Sequence, residues 1–333
     1  MSATHPPARS LIVAAFAVIY VVWGSTYLGI RFAIETLPPF LMAGSRFLAA
    51  GLIMLAFSQR SAPGRPTSLE WRNGVVIGAC LLLGGNGGVT YAEQYIPSGL
   101  AALLVATVPL FMALLGWASG VATRPGATVS AGLILGLFGV YLLVNPHPGQ
   151  ARGNVLGSIV VLVASLLWSV GSLYSRQSGG NTSPFRAAAL QMICGGGLLL
   201  MAGAFTGEWH QLDLAHASAR SVGAFLYLVF VGSLLGFTAY IWLLRVCAPA
   251  RVATYAYVNP VVALVLGRLL AGERFNASMI LGAAVIIVAV VLVVRGQSAR
   301  PPANRLATAR ARAPLDEAHF QRGTGNSERE IPD

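Results

Sequence analysis

The sequence predicts an all-α integral membrane protein with ten transmembrane helices arranged as two inverted five-helix repeats. Three observations lead there. Apolar residues make up 56% of the 333 positions and charged residues only 10%, with a mean hydropathy of +0.69, whereas a globular chain carries roughly 25% charge. The chain offers ten successive runs of about 20 mainly apolar residues, the length a bilayer core requires. Its second half also echoes its first: Trp23 answers Trp168, Arg31 answers Arg176, and Pro39-Phe40 answers Pro184-Phe185, all in one register. With an odd number of helices per unit, the two copies must cross the membrane in opposite senses.

The runs can be justified in order. Helix 1 (11–32) follows Arg9 alone and continues through Trp23 to Arg31 without a small-residue cleavage site, so it reads as a retained helix rather than a signal peptide. Trp23 and Tyr27, one turn apart, share a face. Helix 2 (39–58), opened by Leu37-Pro38-Pro39, carries Arg46 about 10 Å from its start. An intramembrane arginine needs a partner or an aqueous cavity, and both a structural and a binding role are open. In helix 3 (72–93), Asn86, Thr90 and Glu93 follow i, i+4, i+7 and form one polar stripe flanked by Tyr91 and Gln94. Such a stripe should face the bundle interior, to meet substrate or to join helices. The run Gly84-Gly85-Asn86-Gly87-Gly88 follows no strand and precedes no lysine, so close helix packing explains it better than a phosphate loop.

Helix 4 (97–119) follows Ile96-Pro97-Ser98 and holds Pro109 near the membrane centre. Helix 5 (126–144) presents Gly132, Gly136 and Gly139, a stripe suited to close contact within the protomer or in a homodimer. Past Asn145-Pro146-His147-Pro148, helix 6 (154–176) carries Trp168. Helix 7 (185–206) carries Gln191, the counterpart of Arg46. Tyr240 lies in helix 8 (220–244). Helix 9 (249–271), entered through Ala248-Pro249, places Tyr255 and Asn259 on one face and Pro260 at the depth of Pro109. The two prolines predict kinks at matched depth, either as packing features or as breaks whose freed carbonyls line a cavity. Helix 10 (276–295) ends the second repeat. The expected organisation is a cytoplasmic segment 1–10, repeats 11–144 and 154–295, and a disordered arginine-rich tail 296–333.

All 22 basic residues are arginine, which excludes mechanisms that need a lysine. The net charge of +11 marks topology rather than nucleic-acid binding. With the N terminus cytoplasmic, ten arginines (Arg9, Arg60, Arg65, Arg72, Arg124, Arg176, Arg186, Arg245, Arg251, Arg295) lie inside before the tail is counted. Five (Arg31, Arg152, Arg220, Arg268, Arg274) lie outside, so both termini are expected in the cytoplasm. Cys80, Cys194 and Cys247, in or beside apolar runs, give no disulfide framework. The five histidines fall in loops or termini, and no cluster has metal-ligand spacing. No catalytic set, metal site or cofactor is therefore expected.

Inverted repeats are the layout of carriers, with the substrate near the midplane between them. The candidate substrate-binding residues are Trp23, Tyr27, Arg46, Asn86, Thr90, Tyr91, Trp168, Gln191, Tyr240, Tyr255 and Asn259. Arg46 and Glu93 are candidates for an outer gate or a coupling site.

The run Trp23-Gly24-Ser25-Thr26-Tyr27 with Arg31, followed by Ser45-Arg46-Phe47-Leu48-Ala49-Ala50-Gly51, resembles the opening of EamA-type transporters of the drug/metabolite transporter superfamily, in particular the YedA-like group. The same likeness extends to Ala92-Glu93-Gln94-Tyr95-Ile96-Pro97-Ser98-Gly99, Ala106-Thr107-Val108-Pro109-Leu110-Phe111 and Tyr255-Ala256-Tyr257-Val258-Asn259-Pro260, together with Gly272-Glu273. The resemblance spans about residues 11–295. It implies two inverted EamA domains in a bacterial inner membrane, a cavity built from helices 1–4 and 6–9, and peripheral helices 5 and 10. Arg268 and the tail depart from the usual pattern. The function expected is secondary transport, export of small polar or amphipathic metabolites by alternating access, with a lipid-handling or channel-like protein as the alternative. The expected partners are the small-molecule substrate and membrane lipid.

Overall fold

The structure is a computed structural model and describes residues 8–59, 64–120, 122, 124–144, 152–178, 182–247, 249–252 and 254–298. Residues 1–7 of the expected N-terminal segment, and the expected tail from residue 299, lie outside the described residues. Within them, regular structure is helical throughout. Nine of these helices are long and apolar enough to cross a membrane: Arg9–Ala33, Pro39–Ser58, Ser68–Ala92, Ser98–Ala118, Ala127–Val144, Val155–Gln177, Pro184–Phe205, Ala219–Leu244 and Ala277–Gln297. A tenth, Tyr255–Leu270, is apolar but shorter. These are helices 1 to 8, 10 and 9. Below, the proximal end of the bundle is where helix 1 begins and the distal end is where it finishes.

Four local features depart from the simple reading. Helix 3 starts at Ser68, four residues early, because Thr67 and Glu70 form a capping box: the Glu70 amide donates to Thr67 Oγ1 (3.3 Å) and the Thr67 amide donates to Glu70 Oε2 (2.7 Å). Helix 9 does not run unbroken over 249–271. Pro249–Val252 is a separate turn, and the Thr254 hydroxyl takes the Arg251 carbonyl at 2.5 Å, competing with the helical ladder. Helix 4 is interrupted at Ala106 and Thr107, where Pro109 supplies no N–H. Hydroxyls of helix 6 meet carbonyls beside that break, Ser165 on Leu104 at 3.4 Å and Ser169 on Val108 at 3.2 Å. Pro260, by contrast, lies within a continuous helix 9. Helix 10 persists to Ser298, into residues expected to belong to the tail.

A further departure is shared by both halves. Helix 3 widens into a π-helix over Ala79–Gly87 and helix 8 does so over Leu228–Leu235, where continuous α-helix is the sequence expectation. The two segments occupy equivalent places in the two five-helix units. π-Turns are rare and concentrate at functional sites.

Close packing follows small residues, as it must where lipid is as apolar as leucine. Helix 2 lies on helix 7 through Gly44 against Leu200, Gly51 against Ile193 and Gly196 against Leu48. Helix 5 meets helix 10 through Gly132 against Val293 and Gly139 against Ile286, while Gly136 receives Leu110 of helix 4. The helix 5 glycine stripe is thus used inside the protomer. The opposite face of helix 5 exposes Ile134, Leu137, Phe138 and Tyr141, as a peripheral, lipid-facing helix does.

Candidate functional site

The polar residues of the bundle converge where the two halves meet. Trp23 of helix 1 packs against Phe237 and Tyr240 of helix 8 and Tyr255 of helix 9, with ring centroids 5.5, 5.1 and 5.2 Å away. Its indole Nε1 donates to the Gly232 carbonyl at 3.3 Å, inside the π-segment of helix 8. The ring also lies so near Gly236 that an added Cβ there would stand 2.4 Å from Nε1. Trp168 repeats this arrangement on the other side: a Cβ on Gly85, inside the π-segment of helix 3, would stand 2.7 Å from its Cε3. Equivalent tryptophans therefore rest on glycines in or beside equivalent π-segments. Gly84 and Gly88 receive Leu167 and Ala164 of helix 6, and Gly87 receives Leu199 of helix 7, so the glycine run is a packing surface.

Arg46 is 3% exposed. Its Nε donates to Ser233 Oγ at 3.0 Å, which ties helix 2 to the π-segment of helix 8, while Nη1 has no hydrogen-bond partner. Beside it, the hydroxyls of Ser25 and Tyr227 share a hydrogen bond of 2.5 Å. The helix 3 stripe does face inward: Thr90 and Glu93 are fully buried and Asn86 is half-buried. Thr90 is spent locally, its hydroxyl donating to the Asn86 carbonyl at 2.9 Å. Tyr91 instead stacks on Phe40, centroids 5.7 Å apart, nearer the distal end. Gln191 lies where helix 7 crosses helix 3, its carbonyl 2.7 Å from where a Gly78 Cβ would be. Tyr27 packs on the cluster around Val89 and Leu104. Asn259 is buried, and in its satisfied orientation its amide nitrogen donates to the carbonyls of Tyr255 and Tyr20, both at 3.2 Å, joining helix 9 to helix 1.

The two charges considered for a gate do not form an ion pair in this structure. Among the described residues, neither carboxylate oxygen of Glu93 has a hydrogen-bond donor, and no cationic nitrogen stands within 4.0 Å. Arg31 reaches Glu93 through the backbone, Nη1 donating to its carbonyl at 2.6 Å. Glu35 pairs with Arg220 at 3.3 Å.

Two carboxylates that the sequence reading left without a role close the distal end. Glu208, just past helix 7, accepts from the amides of Phe40 (3.2 Å) and Leu41 (2.9 Å), the first turn of helix 2. Glu273, just past helix 9, accepts from Ser98 N (2.8 Å), Ser98 Oγ (2.7 Å) and Gly99 N (3.1 Å), the first turn of helix 4. Each follows a glycine in the left-handed region, Gly207 at φ +76° and Gly272 at φ +63°, a conformation that lets the chain turn back over the neighbouring helix end. A carboxylate on a helix N-terminus satisfies orphan amides and complements the helix dipole. The repeated Gly-Glu pair at two helix ends was the available signal. At the proximal end, the Tyr20 hydroxyl meets that of Thr254, and Arg186 lies 3.9 Å from Glu70. Among the described residues no group of three His, Cys, Asp or Glu side chains is placed to hold a metal.

Apolar helices in two paired repeats with buried polar groups between them are the layout of a helical membrane carrier. The chain belongs to the EamA-like transporter family, whose model matches residues 10–145 and again 155–295. It is 41% identical to the "Uncharacterized inner membrane transporter YedA" of Escherichia coli (strain K12) over 287 residues, covering 85% of this chain and 90% of that protein. It is 26% identical over 280 residues to the "Probable amino-acid metabolite efflux pump" of the same organism, covering 81% and 90%. A solved crystal structure with 18% identity superposes with a TM-score of 0.59 over 88% of this chain and all of that one, a likeness of fold. The protein is accordingly an integral inner-membrane transporter.

Proposed function

We propose that this transporter exports small polar or amphipathic metabolites, of amino-acid or drug-like size, by alternating access between its two inverted repeats. Both termini lie in the cytoplasm in this reading. The observation that carries it is the matched pair of π-segments, each holding a tryptophan of the opposite repeat. A symmetric device with two equivalent halves is what exchanging access between two membrane faces requires. The ring cluster of Trp23, Phe237, Tyr240 and Tyr255 then acts as the cytoplasmic barrier. Glu208 and Glu273 hold the opposite side, where Arg46 and Glu93 serve gating or coupling. A relative named as an efflux pump supports the direction of transport.

The test is counterflow in proteoliposomes loaded with a mixture of amino acids and other metabolites. Saturable exchange is expected, and Asn86→Ala should slow it by at least about fivefold while Leu142→Ala, on peripheral helix 5, leaves it unchanged. Linear, non-saturable flux would favour a channel, and equal effects of the two variants would remove Asn86 from the transport path.

A further inference from the structure

At the proximal end of the seam between helices 3 and 6 lies a cavity of about 240 Å³, lined by Leu69, Arg72 and Asn73 of helix 3 and by Tyr174, Gln177 and Ser178 at the end of helix 6. Two hydrogen bonds tie its walls together: the Tyr174 hydroxyl donates to Asn73 Oδ1 at 3.0 Å, and Asn73 Nδ2 donates to the Ser178 carbonyl at 3.5 Å. These bonds occupy Asn73 at both ends of its carboxamide and leave Arg72 and Gln177 over. Among the described residues, neither of those side chains has a hydrogen-bond or ion-pair partner. Arg72 is also the one charged group in the lining. Glu70, a carboxylate two residues away, is engaged elsewhere, by the Thr67 amide and hydroxyl and by Arg186 at 3.9 Å.

The cavity belongs to the outer surface of the bundle. Val163, Leu167, Val170, Tyr174 and Gln177 are spaced by four, three, four and three residues, so they form one stripe of helix 6, and the first three are exposed. Ser165 and Ser169, which bond carbonyls of helix 4, stand on the opposite side of that helix. On helix 3, Leu69, Arg72 and Val75 recur every three residues, and both apolar members are exposed. In a membrane-spanning chain these side chains face acyl chains, so a polar socket stands at the end of an apolar lane. Trp71, also exposed, lies beside it, as aromatic residues do at a membrane–water interface.

A guanidinium and a carboxamide without partners offer N–H donors to an acceptor-rich anion, and guanidinium takes phosphate through two parallel N–H···O bonds. A headgroup with its own ammonium would bring a second cation into a lining that holds no carboxylate to receive it. We propose that this cavity binds the phosphodiester of an anionic glycerophospholipid, Arg72 and Gln177 holding the phosphate oxygens while the acyl chains lie along the exposed stripes of helices 3 and 6. With both termini cytoplasmic, that lipid belongs to the cytoplasmic leaflet, where basic pockets between helices recognise anionic headgroups. The site stands apart from the ring cluster around Trp23 and depends on neither the substrate nor the direction of transport.

Binding is measured on the purified full chain in neutral detergent, by native mass spectrometry and by shifts in melting temperature, with phosphatidylglycerol and phosphatidylcholine of identical acyl chains. The wild type should hold phosphatidylglycerol at least about tenfold more tightly, the scale of one charge-assisted hydrogen bond. Arg72→Gln should bring the two lipids to within about twofold of each other. Arg9→Gln removes the same charge at the same end of the bundle, outside the cavity, and should leave the preference intact. Gln177→Glu sets a carboxylate in the facing wall and should also abolish the preference; it decides the matter should Arg72→Gln fail to fold. The proposal is overturned if the wild type shows no preference or if the preference survives Arg72→Gln. Equal losses in Arg72→Gln and Arg9→Gln overturn it too, since they would reflect general attraction to a basic surface. Glycerol 3-phosphate supplies the headgroup chemistry without the acyl chains and should not compete at concentrations where phosphatidylglycerol saturates. Displacement of the lipid there would make the cavity a site for soluble phosphate esters and sink the lipid assignment.

Discussion

Single residues carry the contacts that join the repeats, and the tightest of these are glycines. An alanine at Gly236 or Gly85 would drive its methyl to within 2.4 Å of Trp23 or 2.7 Å of Trp168, a distance no side chain tolerates without a shift. Overpacking of this kind costs about 1–3 kcal/mol. Gly236→Ala and Gly85→Ala should therefore lower thermal stability in detergent clearly, while Gly197→Ala, whose added methyl meets nothing within 4 Å, should stay within a few tenths of a kcal/mol. A Gly85→Ala protein as stable as wild type would mean that the Trp168 contact is loose. Arg46 and Asn259 show how far residue identity reaches. That both face inward follows from the cost of polar groups in hydrocarbon. That Arg46 takes Ser233, and that Asn259 takes the carbonyls of Tyr20 and Tyr255, depends on groups more than 180 residues away or on a backbone turn that composition does not encode.

At the scale of elements, most helix limits were legible because transfer free energy and turn chemistry are local. Pro38-Pro39, Pro97-Ser98 and Ser183-Pro184 stand at the starts of helices 2, 4 and 7, where a missing N–H costs nothing. The π-segments were not legible. A run such as Ala79–Gly87 has no apolar periodicity that separates α from π, and the wider turn is stabilised by side chains of helices 6 and 7 filling against its glycines. The carboxylate caps were half-legible, as the Gly-Glu pair shows where the chain turns but not which helix receives it. Glu273→Ala should remove three hydrogen bonds from the start of helix 4 and cost about 1–2 kcal/mol. Hydrogen exchange should then quicken at Ser98 and Gly99 and remain unchanged at Phe40 and Leu41, which Glu208 holds. Uniform acceleration at both places would mean that the two caps form one cooperative unit.

For the whole molecule, the arginine bias predicts that Gln59 and Gln211, each exposed at opposite ends of the bundle, face the cytoplasm and the periplasm respectively. Single cysteines at these positions, in a protein freed of Cys80, Cys194 and Cys247, should react with a membrane-impermeant maleimide from opposite sides of sealed vesicles. Labelling from one side would require an even number of crossings between residues 59 and 211 in place of the five described. What the sequence by itself determined is the number and order of the apolar spans, the duplication, and the burial of Arg46, Thr90, Glu93 and Asn259. These depend on hydropathy and spacing, which are properties of consecutive residues. Only the tertiary structure decided that equivalent tryptophans sit on equivalent π-segments, that Glu208 and Glu273 cap helices 2 and 4, and that Arg46 takes Ser233 rather than Glu93. Those outcomes rest on through-space distances of a few ångströms between residues up to about 200 positions apart, and hydrogen bonds and van der Waals contacts are decided by distance in space rather than by separation along the chain.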